Sequence, residues 1–291
     1  MLTRFRTRKD KILEQLAAPD DQYHDLSPKG SVDAPIRCLI DDINCLEGLV
    51  TTSSCSGRIS VFLEGRRQDT NESPTEDASS AGPGGKGGGG AWLYLSHDPI
   101  TDVEGENTDF MALFGLSQGE HPPRPQKSKC RYIHLKFEPM ILHVLTASIQ
   151  DCQRLLSAAL GAGFRESGAV SLAPTKNGEL NPIVAVRSTG YSYDAIIGYH
   201  DDSGDNIALV DEHYLRTLVG IANDRFRTNL ERITRFRNAL LEQYTIQFAQ
   251  SNKSSQPGWE DAETRKRRKR EEGLARQQAL KAQDSGGGSK T

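Results

Sequence analysis

Eight consecutive residues, Thr51-Thr52-Ser53-Ser54-Cys55-Ser56-Gly57-Arg58, carry five hydroxyls, one thiol and one guanidinium. Hydroxyls and backbone amides this dense make a cradle for a carboxylate, a ribose or a phosphate, with Arg58 as a bidentate clamp. Three further stretches crowd polar groups where a fold alone does not need them. Asp25-Leu26-Ser27-Pro28-Lys29-Gly30-Ser31-Val32-Asp33 leads into a helix. There Pro28 and Gly30 serve a turn and Asp33 an N-cap, while Asp25 and Lys29 have no structural duty. Trp92 to His97-Asp98-Pro99 closes a short apolar run. His134-Leu135-Lys136-Phe137-Glu138-Pro139 with His143 is the last, and Arg165, Glu166, Ser167, Arg187 and Ser188 stand in equivalent places in the second half.

Several chemistries are excluded by spacing. There is no Ser-His-Asp order, no Cys-His pair and no hydrolase nucleophile elbow. The histidines lack metal-ligand spacing, and the 5 cysteines are odd in number with no C-x-x-C pair, so neither a metal site nor a disulfide framework is expected. Gly85, Gly87 and Gly90 satisfy G-x-G-x-x-G, but a poly-Gly run matches it by chance and no strand–helix junction surrounds it. A Walker loop fails because Gly87 stands where Ser or Thr must follow Lys86.

The elements that must position these residues come in two similar sets. Ser56-Gly57-Arg58-Ile59-Ser60-Val61 is echoed 111 residues later by Ser167-Gly168-Ala169-Val170-Ser171-Leu172, and Ala91–His97 by Pro182–Ser188. Each Ser-Gly follows a helical pattern: Val32, Ile36, Leu39, Ile40, Ile43 and Leu46 in the first half, and Ile149, Cys152, Leu155, Leu156, Ala159 and Leu160 in the second, closed by Gly161 or Gly163. Each half therefore reads helix, strand, hairpin turn, strand; chance likeness between strand pairs is the alternative. The second turn is Pro174–Gly178. The expected architecture is α+β: two duplicated helix-plus-hairpin units, about 20–100 and 130–200, forming one curled, barrel-like sheet with helices outside and a ligand cleft between the units. An N-terminal helix (Phe5, Ile12, Leu13, Leu16) and a long helix over 211–250 complete a single domain, 1–250. The long helix has an apolar stripe of Leu215, Leu218, Ala222, Phe226, Leu230, Ile233, Leu240 and Tyr244. Its arginines (Arg225, Arg227, Arg232, Arg235, Arg237) read either as a solvated face or as an RNA-backbone contact.

The 291 residues carry 36 basic and 39 acidic groups, unevenly placed: residues 253–291 have net charge +4 and residues 1–252 have −7. Residues 66–90, without an aliphatic larger than Ala, read as a flexible Gly-rich insert, and 251–291 as a disordered basic tail with transient helix around 260–282. The run Arg265–Arg270 has the composition of a nuclear-import signal or a loose RNA contact; a solvated tail is the plain alternative. No apolar run is long enough to cross a bilayer, and the charged N-terminus lacks a signal-peptide core. A cytoplasmic location is expected, with nuclear entry through the tail.

D-L-S-P-K-G-S-V-D, T-T-S-S-C-S-G-R-I, G-G-K-G-x-G-x-W-L-x-x-S-H, L-K-F-E-P-x-x-L-H-V, G-F-R-E-S-G and A-V-R-S-T-G occur in this order. Together these blocks resemble the signatures of the tRNA wybutosine-synthesizing protein 3 family, over residues ~25 to ~190, with the long helix similar as well. The resemblance implies an S-adenosylmethionine-dependent methyltransferase acting on N4 of the 4-demethylwyosine-type tricyclic base beside the anticodon of tRNA(Phe). It also implies a distinct α+β fold rather than a doubly wound Rossmann methyltransferase. Asp69–Ser80 and the tail after about residue 250 depart from the family as additions, and Ser192–Ile197 reads Ser-Tyr-Asp-Ala-Ile-Ile where relatives tend to carry an acidic residue before Val-Pro.

On that resemblance, Lys29 with Ser53, Ser54, Cys55, Ser56, Gly57 and Arg58 is expected to hold the donor's amino-acid end, and Asp25 or His97 to accept the proton released from N4. Trp92 is expected to stack on the base, Arg187 or Arg58 to pair with a phosphate or the base's carboxylate arm, and Lys86, Lys136, Glu138, His143, Ser167 and Ser188 to line the substrate. Partners are the tRNA(Phe) anticodon loop, with no membrane, metal or protein partner. The competing readings are a non-catalytic anticodon-loop binding protein and another small-molecule transferase.

Overall fold

The structure, a computed structural model, describes residues 4–17, 32–65, 90–101, 108–118, 130–172, 178, 180–201, 203–254 and 263–272. It divides into two compact units, Met1–Leu240 and Leu241–Thr291. Asp25, Lys29 and Lys86, the turn 174–177 and nearly all of the insert lie outside the described residues; of the tail, 251–254 and 263–272 are described and are helical.

Chain order is α1 (Arg4–Leu16), a 3-10 turn (Ala34–Ile36), α2 (Arg37–Cys45), β1 (Leu49–Leu63), β2 (Ala91–Ser96), α3 (Phe110–Leu113), β3 (Arg131–Thr146), α4 (Ile149–Gly161), β4 (Gly168–Ser171), β5 (Ile183–Val186), β6 (Tyr193–His200), β7 (Asn206–Ala208) and α5 (Glu212–Ser254). The strands form one antiparallel sheet in the order β2-β1-β3-β5-β4, with β6 also on β3 and β7 on β6. β3 is the spine: β1 runs along one edge, while β6 pairs with its first half and β5 with its second. The sheet is the curled α+β sheet the sequence suggested, but the described strands do not close into a barrel.

The helix–strand–strand order occurs twice, as α2-β1-β2 and α4-β4-β5. The registers differ. Gly168 pairs with Ala185, which by the sequence equivalence would set Gly57 opposite Tyr94, yet it is Val61 that faces Tyr94.

β1 and β3 pair without a slip from Ser53–His143 to Leu63–Ile133. Side chains alternate across a sheet, so each parity keeps to one face. On one face Ile59, Val61, Leu63, Ile133, Leu135 and Phe137 pack under Phe110, Phe114, Leu215, Val219 and Phe226 from α3 and α5. Farther along that same face come Ser53, Cys55, Ile141 and His143, none of them buried. The other face runs the opposite way. Leu142, Val144, Val184 and Val186 are fully buried where α2 and α4 pack, whereas Arg58, His134, Lys136 and Glu138 remain partly open. On the first face the Ser53–His143 stretch therefore lies open between this core and a second small one, where Val50 and Leu145 pack with Phe5 of α1.

The crossover falls where Gly57 pairs with Pro139. Gly57 takes φ +115°, and Pro139 has no N–H to give the ladder. Asn229 of α5 mends the gap: its Nδ2 donates to Ser56 O at 2.7 Å and its Oδ1 accepts from Met140 N–H at 2.9 Å, with the side chain buried.

Most arginines of α5 are tied inward. Arg225 lies over the rings of Tyr191 and Tyr193, and Arg232 over Tyr191 with a 3.4 Å contact to Ser188 Oγ. Arg235 donates to Ala162 O and Arg237 pairs with Asp42. Arg227 alone of the five has only a local partner, Asp224, with both side chains exposed. These side chains therefore fasten α5 to the chain around β5 and β6, to α2 and to the end of α4, which neither the solvated nor the RNA-contact reading anticipated. α4 has a Ser148 N-cap accepting from Asp151 N–H, and it is Gly163 (φ +101°) that closes it. Buried Lys9 of α1 donates to the carbonyls of Leu46 and Leu49 just past the end of α2.

Candidate functional site

Asp33 does not cap the following helix; its side chain makes no cap hydrogen bond. It turns inward instead, where Oδ2 accepts from Ser56 N–H at 2.8 Å and lies 3.2 Å from His97 Nδ1. His97, just beyond the end of β2, also places Nδ1 3.2 Å from Gly57 O and 3.7 Å from Cys55 Sγ. Side-chain exposure is 13% for His97 and 6% for Asp33, so the contact is shielded from water. Asp33 above all, then Cys55, pushes the imidazole up to about 10 against the cost of burial. Burial also pushes the Asp33 carboxyl up, but the His97 ring and the Ser56 amide outweigh it and bring it to about 2. At neutral pH the pair is imidazolium and carboxylate. The His97 Nδ1, engaged by Asp33, Gly57 O and Cys55, is not open to take the N4 proton, and the ring stands as a positive group beside Cys55.

On the bare end of the same face, Ser53 Oγ is 2.9 Å from His143 Nδ1, and Thr52 Oγ1 donates to His143 O. Burial, helped by the charge of Arg187, pushes His143 below 6.5, so this ring is neutral where His97 is charged. Arg187 is exposed, and its Nε donates to Glu166 O at 3.1 Å. Ser167 Oγ donates to Phe164 O and accepts from Arg187 N–H, while Glu166 accepts the amides of Thr189 and Gly190. Ser167 therefore fixes the loop that carries Arg187. Ser188 is buried against Arg232 and cannot line a substrate.

Arg58 is elsewhere. Its Nε and Nη2 both reach Glu138 Oε2 at 2.8 Å, and its guanidinium carbon sits 5.3 Å from the centre of the half-exposed Trp92 ring. Lys136 Nζ pairs with Glu138 Oε1 at 3.1 Å. Burial pushes the Glu138 carboxyl up, but Arg58 and Lys136 together hold it below its ordinary range. Beyond this cluster His134 bridges Asp194 and Glu64 and stacks on Phe62. By strand parity this cluster is on the face opposite Ser53, Cys55 and His143. The eight-residue run is thus not one cradle. Ser53 and Cys55 look one way and Arg58 the other, and the buried Ser56 gives its N–H to Asp33. An open groove of about 540 Å³ follows α5 from Pro99 to Thr234 and includes none of the expected residues, so it does not supply the cleft expected between the halves.

Sequence reasoning missed Asp33 and Asn229 as site-building groups. Asp33 carried a signal, since it ends the first polar block, but its partners lie 23 and 64 residues away. Asn229 carried none, being one amide in a helix. Asp33, Cys55 and His97 also have ligand atoms mutually within 4.8 Å, an arrangement the Asp33–His97 ion pair accounts for.

The family model "Methyltransferase TYW3" matches residues 7–242. The tRNA wybutosine-synthesizing protein 3 of Saccharomyces cerevisiae is 34% identical over 284 residues, covering 96% of each chain. The protein of the same name from Schizosaccharomyces pombe is 33% identical over 243 residues, covering 82% of this chain and 87% of that one. Among solved structures, the PH1069 protein of Pyrococcus horikoshii aligns with TM-score 0.56 and 25% identity over 81% of this chain and 95% of its own.

Proposed function

With the chain belonging to the Methyltransferase TYW3 family, a family of tRNA methyltransferases of wybutosine synthesis, we propose that it uses S-adenosylmethionine to methylate N4 of the 4-demethylwyosine-type base beside the anticodon of tRNA(Phe). The observation that carries the site assignment is the grouping of Ser53, Cys55, His143 and Arg187 at the one bare stretch of a sheet face whose remainder is core.

The residues fit such a donor on chemical grounds. Its amino-acid end calls for hydroxyl and guanidinium partners, which Ser53 and Arg187 supply. Its cationic centre is disfavoured beside another positive charge, and Ser53 and the His143 ring, held toward its neutral form, add none. Bound there, the donor provides an electrophilic methyl group and needs no enzyme nucleophile. The chain's task is alignment: holding methyl and nitrogen about 3–3.5 Å apart contributes several kcal/mol of barrier reduction. Asp33 and His97 fix Cys55 and the Gly57 carbonyl behind this surface. Trp92, on the opposite face with Arg58, is not placed to stack on a base held here. The target base is single-stranded in its loop, so presenting it costs little unstacking.

The test is direct. Full-length protein, S-adenosylmethionine and tRNA(Phe) bearing the demethyl base are incubated, and the nucleosides are weighed by mass spectrometry. The base should gain one methyl group. Tight tRNA binding with no methyl gain would return the non-catalytic reading.

A further inference from the structure

We propose that His143 is the proton acceptor of the methyl transfer and that Ser53 is the residue that positions it. This rests on the methyltransferase reading above. When the N4–methyl bond forms, the donor's carbon–sulfur bond breaks with its electron pair going to sulfur, which becomes a neutral thioether. The nitrogen would be left cationic and sheds its N–H proton. That proton needs an unprotonated base on the face where the base is held.

Of the histidines near this region, His97 has Nδ1 surrounded by Asp33, Gly57 O and Cys55 and is already protonated. His134 lies on the opposite face between Glu64 and Asp194. His143 sits in the bare stretch, one side of its ring engaged by Ser53 at 2.9 Å. With Nδ1–H donating to Ser53 Oγ, the Nε2 lone pair is left to receive the proton. This is the tautomer-fixing job that a hydrogen-bonding partner performs for a general base.

The neighbours of the ring support the role. From β1 it meets Ser53, with Cys55 diagonal; from β5 it faces Ala185, with Arg187 diagonal beyond it. Arg187 is the charged group that acts on it, and it favours the neutral ring. The resulting pKa, below 6.5, keeps His143 ready to accept a proton throughout the physiological range.

The experiment is single-turnover methylation of the demethyl tRNA by full-length wild type, His143→Asn, Ser53→Ala and Asp25→Asn, across pH 5–9, with donor affinity measured in parallel by calorimetry. In wild type the rate should fall only on the acid side, with a midpoint below 6.5. His143→Asn should lose about 10²–10³ in rate, lose that acid limb, and recover part of the rate with added imidazole. Ser53→Ala should keep the acid limb but lower the plateau. A wild-type rate, or an unchanged acid limb, in His143→Asn overturns the proposal, as does an acid limb that disappears in Asp25→Asn instead. If wild type itself transfers no methyl group, it is the function that fails rather than this assignment.

Discussion

Asp33→Asn should lower the melting temperature by roughly 5–15 °C at pH 7 and return His97 to an ordinary imidazole. Removing one partner of a shielded, hydrogen-bonded ion pair costs about 2–4 kcal/mol, and for a body of this size each kcal/mol is worth roughly 2–4 °C. The pH dependence gives a sharper signature. His97 is raised from 6.5 to about 10, so its share of the stability is complete below pH 6.5 and is lost as pH climbs through 10. Asp33 is lowered from 3.8 to about 2, so its share is complete above pH 3.8 and is lost as pH falls through 2. Both describe the same contact and are not added. Thermal melts of the wild type should therefore show a plateau between about pH 4 and 6.5 and a decline on the alkaline side. The variant should lack that alkaline decline, and proton NMR should show its His97 ring titrating near 6.5. An alkaline limb unchanged in Asp33→Asn would remove the ion pair from the account.

Gly57→Ala should be comparably harmful for a reason of geometry alone. At φ +115° an L residue is strained by about 1–3 kcal/mol. A Cβ there would stand 3.0 Å from Asn229 Nδ2 and 3.1 Å from Glu138 O. The backbone carbonyl cannot retreat, and Asn229 cannot move without releasing Ser56 O or Met140 N–H. A total near 3 kcal/mol follows, or roughly 6–12 °C in Tm. Gly115→Ala is the comparison for the steric part: at φ +65° it too carries left-handed strain of about 1 kcal/mol, but a Cβ would meet nothing within 4 Å, so its loss should be smaller. Equal melting temperatures for the two variants would contradict the crossover described at Gly57–Pro139.

What the sequence disclosed and what it hid follow from the range of the interactions concerned. The apolar stripe of α5 was legible because a 3.6-residue period is local: Leu215, Leu218, Ala222, Phe226, Ile233 and Leu240 are all buried, though Leu230 is 43% exposed. The hydroxyl-rich run was legible as chemistry but not as two opposed faces, because composition does not show that all eight residues lie within one 15-residue strand. Alternation along that strand then separates Ser53 from Arg58. β3 was obscured by Pro139, a residue that normally argues against a central strand; the amide from Asn229, 90 residues later, makes it tolerable. The arginines of α5 and the carboxylate of Asp33 had partners dozens of residues away, which no local pattern shows.

Which face binds the methyl donor is the question on which the site depends, and calorimetric titration of S-adenosylmethionine into Arg187→Ala and Arg58→Ala answers it. Arg187→Ala should weaken binding at least tenfold, the worth of one charge-assisted contact, while Arg58→Ala should bind as wild type does. Lost binding in Arg58→Ala with intact binding in Arg187→Ala would put the donor on the face of Trp92 and Glu138 instead.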